Sequence, residues 1–155
     1  MPAPLLVFAI GNESRGDDAL APLLLRQLAA QDFPHAEFIE DFQLQIEHVT
    51  DLSGRDAILF VDADMSCAAP CLLQPIIAAH DHSYTSHAMT PHSLLHAFHQ
   101  FYGKAAPPSY LLRIRGYGFE LGEGLSPEAE TNLQQAGAKA QEWIAEAGTV
   151  RAILD

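Results

Sequence analysis

A chain of 155 residues that is 48% hydrophobic has the length of one ordinary domain and enough apolar material to close a core, so 1–155 reads as a single domain. Eight Lys and Arg against twenty Asp and Glu give a net charge of −12, which repels phosphate backbones and anionic lipid and argues against nucleic acid or membrane as partner. No apolar run approaches the roughly 20 residues of a membrane span, no basic region precedes the first apolar segment, and the lone pair Cys67 and Cys71 makes no disulfide framework, so a cytoplasmic protein is expected.

Leu5 to Ile10 is a continuous apolar run followed by Gly11-Asn12 and a polar loop, the pattern of a strand buried on both faces of a parallel sheet. After Asp18, residues Leu20, Leu23, Leu24, Leu28 and Ala29 recur at helical spacing. Ala36 to Glu40 predicts a second strand, Leu44 to Leu52 a short helix, and Ala57 to Val61 a third strand emptying into Asp62-Ala-Asp64. Leu72 to Ala78 and Tyr110 to Ile114 are further strands. Ser93 to Tyr102 is a helix, and Ser126-Pro127-Glu128 opens a long helix reaching Ala145. Val150 to Leu154 is expected as a short strand or packed tail, and 81–89 and 103–109 as linkers. Strands this apolar need helices on both faces, which predicts an α/β fold: a three-layer α/β/α sandwich with a mostly parallel, twisted sheet of about five strands.

Open parallel sheets bind ligands beyond the carboxyl ends of their strands. Asp18, in the loop after the first strand, and Asp62, ending the third, therefore converge on one edge, where two carboxylates share a proton or hold a cation. Asp17 is expected to cap the following helix, and Asp64 and Glu13 are weaker candidates. In Thr90-Pro91-His92, Thr90 reads as an N-cap and Pro91 as the first helical residue. An imidazole in a first helical turn faces the positive end of the dipole, where the neutral, lone-pair-donating form is favoured. One nitrogen and two carboxylates suit a divalent transition metal.

His92, His96 and His99 also share one helix face, a competing metal site, but the apolar stripe of Leu95, Phe98 and Tyr102 beside them favours ordinary surface histidines. Surface placement is likewise the expectation for His80, His82 and His87. The Gly11 to Gly16 loop matches no nucleotide cradle, and there is no nucleophile elbow, zincin helix or cysteine paired with a base.

Gly11-Asn12, Arg15-Gly-Asp-Asp18 and Leu20-Ala-Pro22 resemble the first signature of the nickel-iron hydrogenase maturation endopeptidases. The resemblance continues through Asp41 to His48, Val61-Asp-Ala63, Thr90-Pro-His92 and Leu125-Ser-Pro127, spanning nearly the whole chain. It implies that Asp18, Asp62 and His92 are the metal-facing and catalytic residues. It also implies that the metal is nickel, carried by the hydrogenase large-subunit precursor, whose C-terminal extension is cut off once the nickel has been inspected. The free protein is open to other divalent ions.

This chain departs from the family pattern at Ala19, glycine in many relatives, and at Asp18, glutamate in some. It also lacks the paired glycines that one branch carries where Asp41 to Gln45 stand here. No nucleophile is assigned. Asp17 or Asp64 is a weak candidate base, and Arg15 a partner for a carboxylate of the substrate tail. A non-catalytic nickel- or precursor-binding chaperone fits the same residues, and a generic α/β metal-dependent hydrolase fits them less well.

Overall fold

In the computed structural model, residues 2–80 and 89–154 are described, with side chains to residue 149. Five strands, β1 (Leu5–Ile10), β2 (Ala36–Asp41), β3 (Ala57–Asp64), β4 (Cys71–Ile76) and β5 (Ser109–Arg115), form one sheet in the order β2-β1-β3-β5-β4. All neighbouring pairs are parallel except β4 with β5, so the mostly parallel five-stranded sheet expected from the apolar runs is the one observed.

The unbroken apolar run of β1 is explained by its two faces. Leu5, Val7 and Ala9 enter one core with α1 (Leu20–Ala29) and α4 (Pro127–Leu154), whereas Leu6, Phe8 and Ile10 enter a second core with α2 (Val49–Leu52) and α3 (Pro91–Tyr102). Successive side chains of a strand point to opposite faces, so a strand covered on both sides has no polar position to spare. Each covered face removes apolar surface from water at about 25 cal/mol per Å², the main term holding the layers together.

The chain first steps from β1 outward to β2, then returns across β1 to β3, passes to the far edge strand β4, and comes back to β5 between β3 and β4. The strand order therefore reverses between β1 and β3, and a crevice opens there beyond the strand ends. Ile10, the last residue of β1, pairs with Asp62, so the predicted strand-end aspartate stands at the mouth of that crevice.

Three expectations are corrected. The helix predicted from Leu44 starts later: Leu44 bridges Met89, and a 3-10 turn at Ile46–His48 leads into the four-residue α2. Asp62 and Asp64 lie within β3, which runs past its apolar segment because β5 pairs with it as far as Asp64 against Arg115. Val150 to Leu154 is the end of the 28-residue α4, neither strand nor tail. The helix expected after the first loop is α1, entered through a 3-10 turn at Gly16–Ala19. Thr90 and Pro91 open α3 as expected, the Thr90 side chain accepting from the backbone N–H of Ser93.

Candidate functional site

Two glycines shape the loop that carries Asp18. A Cβ on Gly11 would lie 2.2 Å from the carbonyl oxygen of Asp18, so only glycine lets the loop fold back on itself there. Gly16 has φ +53°, and a Cβ would come within 2.4 Å of the Gly118 carbonyl oxygen, locking this loop against the one after β5. The folded-back loop lets the Asn12 backbone N–H donate to Asp18 Oδ2 at 2.8 Å.

Asp18 and Asp62 are electrostatic neighbours, and both are hard to ionise. Burial pushes the Asp18 carboxyl up, opposed by the Asn12 N–H and the charge of Arg15. Asp62 is pushed up to about 7, chiefly by burial and next by the charge of Asp18, with the Ala63 N–H opposing and the charge of Asp64 adding. Two carboxylates crowded at a partly desolvated strand edge are stabilised by whatever brings positive charge, a proton or a metal cation.

His92 sits in the first turn of α3, half-buried, with Nδ1 2.9 Å from the carbonyl oxygen of Ile77. A carbonyl can only accept, so this contact places the ring hydrogen on Nδ1 and leaves the lone pair on Nε2. Metal-binding histidines are commonly held in this way. Among the described residues, however, no group of three or more His, Cys, Asp or Glu side chains is gathered closely enough to hold a metal ion. The structure thus brings Asp18 and Asp62 together without closing a three-ligand set around them. The same holds for the helix-face alternative of His92, His96 and His99: His96 packs its ring against His80, 5.0 Å between centroids, and His99 is exposed. His82 and His87 lie outside the described residues.

Asp17 does not cap a helix. It is fully buried, and its carboxylate accepts from the backbone N–H groups of Tyr117, Gly118 and Ser126 and from the Ser126 hydroxyl, at 2.7, 3.2, 2.8 and 2.8 Å. Burial raises its carboxyl, but these donors outweigh it and the net shift is downward. Asp17 therefore clamps the loop between β5 and α4 to the Asp18 loop, and its sequence position showed nothing of this; the one signal was Ser126-Pro127 opening the last helix.

Asp64 is similarly occupied. It accepts from Ser66 N–H and Oγ and from Cys67 N–H at 2.6, 2.7 and 3.1 Å, with Arg113 at 3.4 Å. Burial raises its carboxyl and these partners lower it below the usual value. Saturated and acidic, neither Asp17 nor Asp64 is suited to take a proton near neutral pH.

Two further features were missed from sequence. His48, buried against Phe8, accepts the Gln45 N–H on Nδ1 at 2.8 Å, which turns its Nε2 hydrogen toward Asp41 Oδ2 at 3.2 Å and fixes the loop after β2. Beside it lies a cleft of about 180 Å³ lined by Gly11, Glu13, Pro22, Arg26, Glu40, Asp41 and Phe42, in which Arg26 bridges Glu13 and Glu40. The weak candidate Glu13 is thus engaged in an ion pair. Arg15 is exposed, its Nε 3.4 Å from the Phe119 carbonyl oxygen.

No protein-family profile matches the chain, and no curated protein sequence does. Its fold is nevertheless shared with solved structures over almost its whole length. The hydrogenase maturating endopeptidase HybD from E. coli superposes with a TM-score of 0.74 at 22% identity, covering 96% of this chain and 94% of that one. The [NiFe] hydrogenase maturation protease HycI from Thermococcus kodakarensis gives 0.69 at 18% identity, covering 94% and 92%. The hydrogenase 2 maturation peptidase from Thaumarchaeota archaeon SCGC_AB-539-E09 gives 0.64 at 20% identity, covering 90% and 97%.

Proposed function

We propose that this chain is an endopeptidase that removes a C-terminal extension from the nickel-loaded large-subunit precursor of a NiFe hydrogenase, using the precursor's nickel as its recognition element. The observation that carries the reading is the partly buried pair Asp18 and Asp62, the charge of the first adding to the upward shift of the second, at the strand-order reversal. It stands on a fold whose solved examples include hydrogenase maturation endopeptidases.

The nickel belongs to the substrate. A carboxylate pair that is hard to ionise is a poor resident state and a good receptor for a cation arriving from outside. Asp18 and Asp62 supply the charge that the metal meets, and Nε2 of His92, freed by the Nδ1 bond to Ile77, is the nitrogen available to join them. Oxygen and imidazole donors suit a borderline divalent ion such as nickel. Gathering the third ligand only when the metal arrives makes nickel a condition of productive binding, which is how an inspection step discriminates. A metal so held polarises the scissile carbonyl or a water beside it. Arg15, exposed in the same loop, is the cation for a carboxylate of the substrate tail.

The test is to incubate nickel-loaded and nickel-free precursor with the purified chain and follow the precursor's mass. A single truncation of the nickel-loaded form alone is expected, lost in D62N and H92A. Truncation of both forms would overturn nickel recognition, and binding without any change of mass would make the chain a maturation chaperone instead of a peptidase.

A further inference from the structure

The parallel topology sends the loops after β2, β1, β3 and β5 to one edge of the sheet, and most of the exposed large hydrophobic side chains among the described residues lie there. Seven large hydrophobic side chains among the described residues are exposed, and five of them sit in these loops: Phe42, Ile46, Met65, Tyr117 and Leu121. Phe42 and Ile46 follow β2, Met65 follows β3, and Tyr117 and Leu121 follow β5. In the strand order β2-β1-β3-β5 they stand on either side of the loop bearing Asp18 and of the strand bearing Asp62.

These loops are tethered to the scaffold, so the rim is set in place before any partner arrives. Asp17 clamps the Tyr117 and Gly118 backbone, Gly122 N–H donates to the Ser14 carbonyl at 2.8 Å beside Leu121, and the His48 ring holds the loop between Phe42 and Ile46. Phe42 is 69% and Leu121 75% exposed, so the face offers large apolar side chains that a partner can cover. Large apolar side chains exposed together at one edge of a fold mark a face that a protein partner covers.

Charge decides what the centre takes. The partly buried carboxylates sit in a chain of net charge −12, so pairing this face with a second copy would bring like charges together. A partner that presents a cation at the centre and apolar surface around it is complementary on both counts.

We infer that Phe42, Ile46, Met65, Tyr117 and Leu121 form a docking rim that seats the folded body of a metal-bearing protein, so that its cation descends onto Asp18 and Asp62. This rests on the function proposed above, the partner being the nickel-loaded large-subunit precursor. Recognition is then divided: the rim reads the precursor's folded surface, and the carboxylates read its metal.

The experiment measures binding separately from cleavage. Wild-type chain, the double variant F42S/L121S and the control F101S, an exposed aromatic on α3 away from this edge, are titrated with nickel-loaded large-subunit precursor from the same organism, and each mixture is also weighed by mass spectrometry. The rim variant is expected to bind about tenfold more weakly or worse, with a KM raised by a like factor and kcat retained, while F101S matches wild type. Equal affinity of F42S/L121S and wild type would overturn the rim even if cleavage proceeds normally. Rim-dependent binding without truncation would leave the rim standing and overturn the peptidase reading. Failure of the wild type to bind, or a dimer in sedimentation that F42S/L121S abolishes, would show that the rim serves something other than this partner.

Discussion

Asp62→Asn is expected to make the protein more stable while removing its activity, and the size of the gain depends on pH in a calculable way. The Asp62 carboxyl is raised from an ordinary 3.8 to about 7, chiefly by burial and then by the charge of Asp18. A group whose folded pKa lies above its unfolded value contributes stability that is fully present below the unfolded pKa and is lost as pH rises through the folded one. Wild type therefore loses stability between about pH 4 and pH 7, while the neutral asparagine does not. Each pH step is worth about 1.4 kcal/mol, so the whole interval is worth about 4 kcal/mol, and the partial solvent contact of Asp62 lowers this to about 2–4 kcal/mol. For a chain of this size that is a rise in Tm of about 5–10 °C at pH 8. Urea denaturation of both proteins from pH 4 to pH 8.5 measures it directly. The two curves should coincide near pH 4 and diverge steadily to a plateau above pH 7. Equal stabilities at pH 8, or a less stable D62N, would refute the claim that Asp62 is held in an unfavourable ionised state.

Asp18→Asn removes the neighbouring charge that is the second cause of the Asp62 shift, so the Asp62 titration followed by carboxyl carbon NMR should move below its wild-type midpoint of about 7; an unmoved midpoint would show that the two carboxylates are not coupled. Asp17→Ala leaves four donors on Tyr117, Gly118 and Ser126 without their acceptor and should cost about 3 kcal/mol in urea denaturation, with Asp17→Asn recovering part; a cost below about 1 kcal/mol would contradict the clamp. Gly11→Ala forces a Cβ toward the Asp18 carbonyl oxygen, 2.2 Å away, and should reduce precursor truncation by more than about tenfold while the chain stays folded; near-normal truncation would show that the Asp18 backbone is free to shift.

What was legible in the sequence was what periodicity and strand ends encode. Leu5 to Ile10 could be read as doubly buried because six apolar residues in a row have no other economical use, and alternate members do enter the two cores. Asp18 and Asp62 were legible because polar residues after such runs must emerge at the edge where the strand order reverses. Asp17 was misread because a carboxylate just before a helix looks the same whether it caps that helix or reaches Ser126, 109 positions later. Loop-to-loop contacts have no period. The end of β3 was likewise set by its pairing with β5 and not by its own composition, and the α4 segment after Ala145, with little amphipathic pattern, gave no sign of continuing as helix. The proposed rim was invisible for a different reason: Phe42, Met65 and Leu121 are far apart in sequence, and only the topology brings their loops to one edge of the sheet.

Asp18 and Asp62 are proposed to reach for a metal that the substrate brings. Nickel K-edge X-ray absorption on nickel-loaded precursor, alone and mixed with the wild-type chain, with D18N and with D62N, tests it most directly. The wild-type complex should show added oxygen or nitrogen scatterers at roughly the 2.0–2.2 Å of such ligands to a first-row divalent ion, diminished in either variant. A nickel spectrum that the wild-type chain leaves unchanged, under conditions where it binds the precursor, would contradict it.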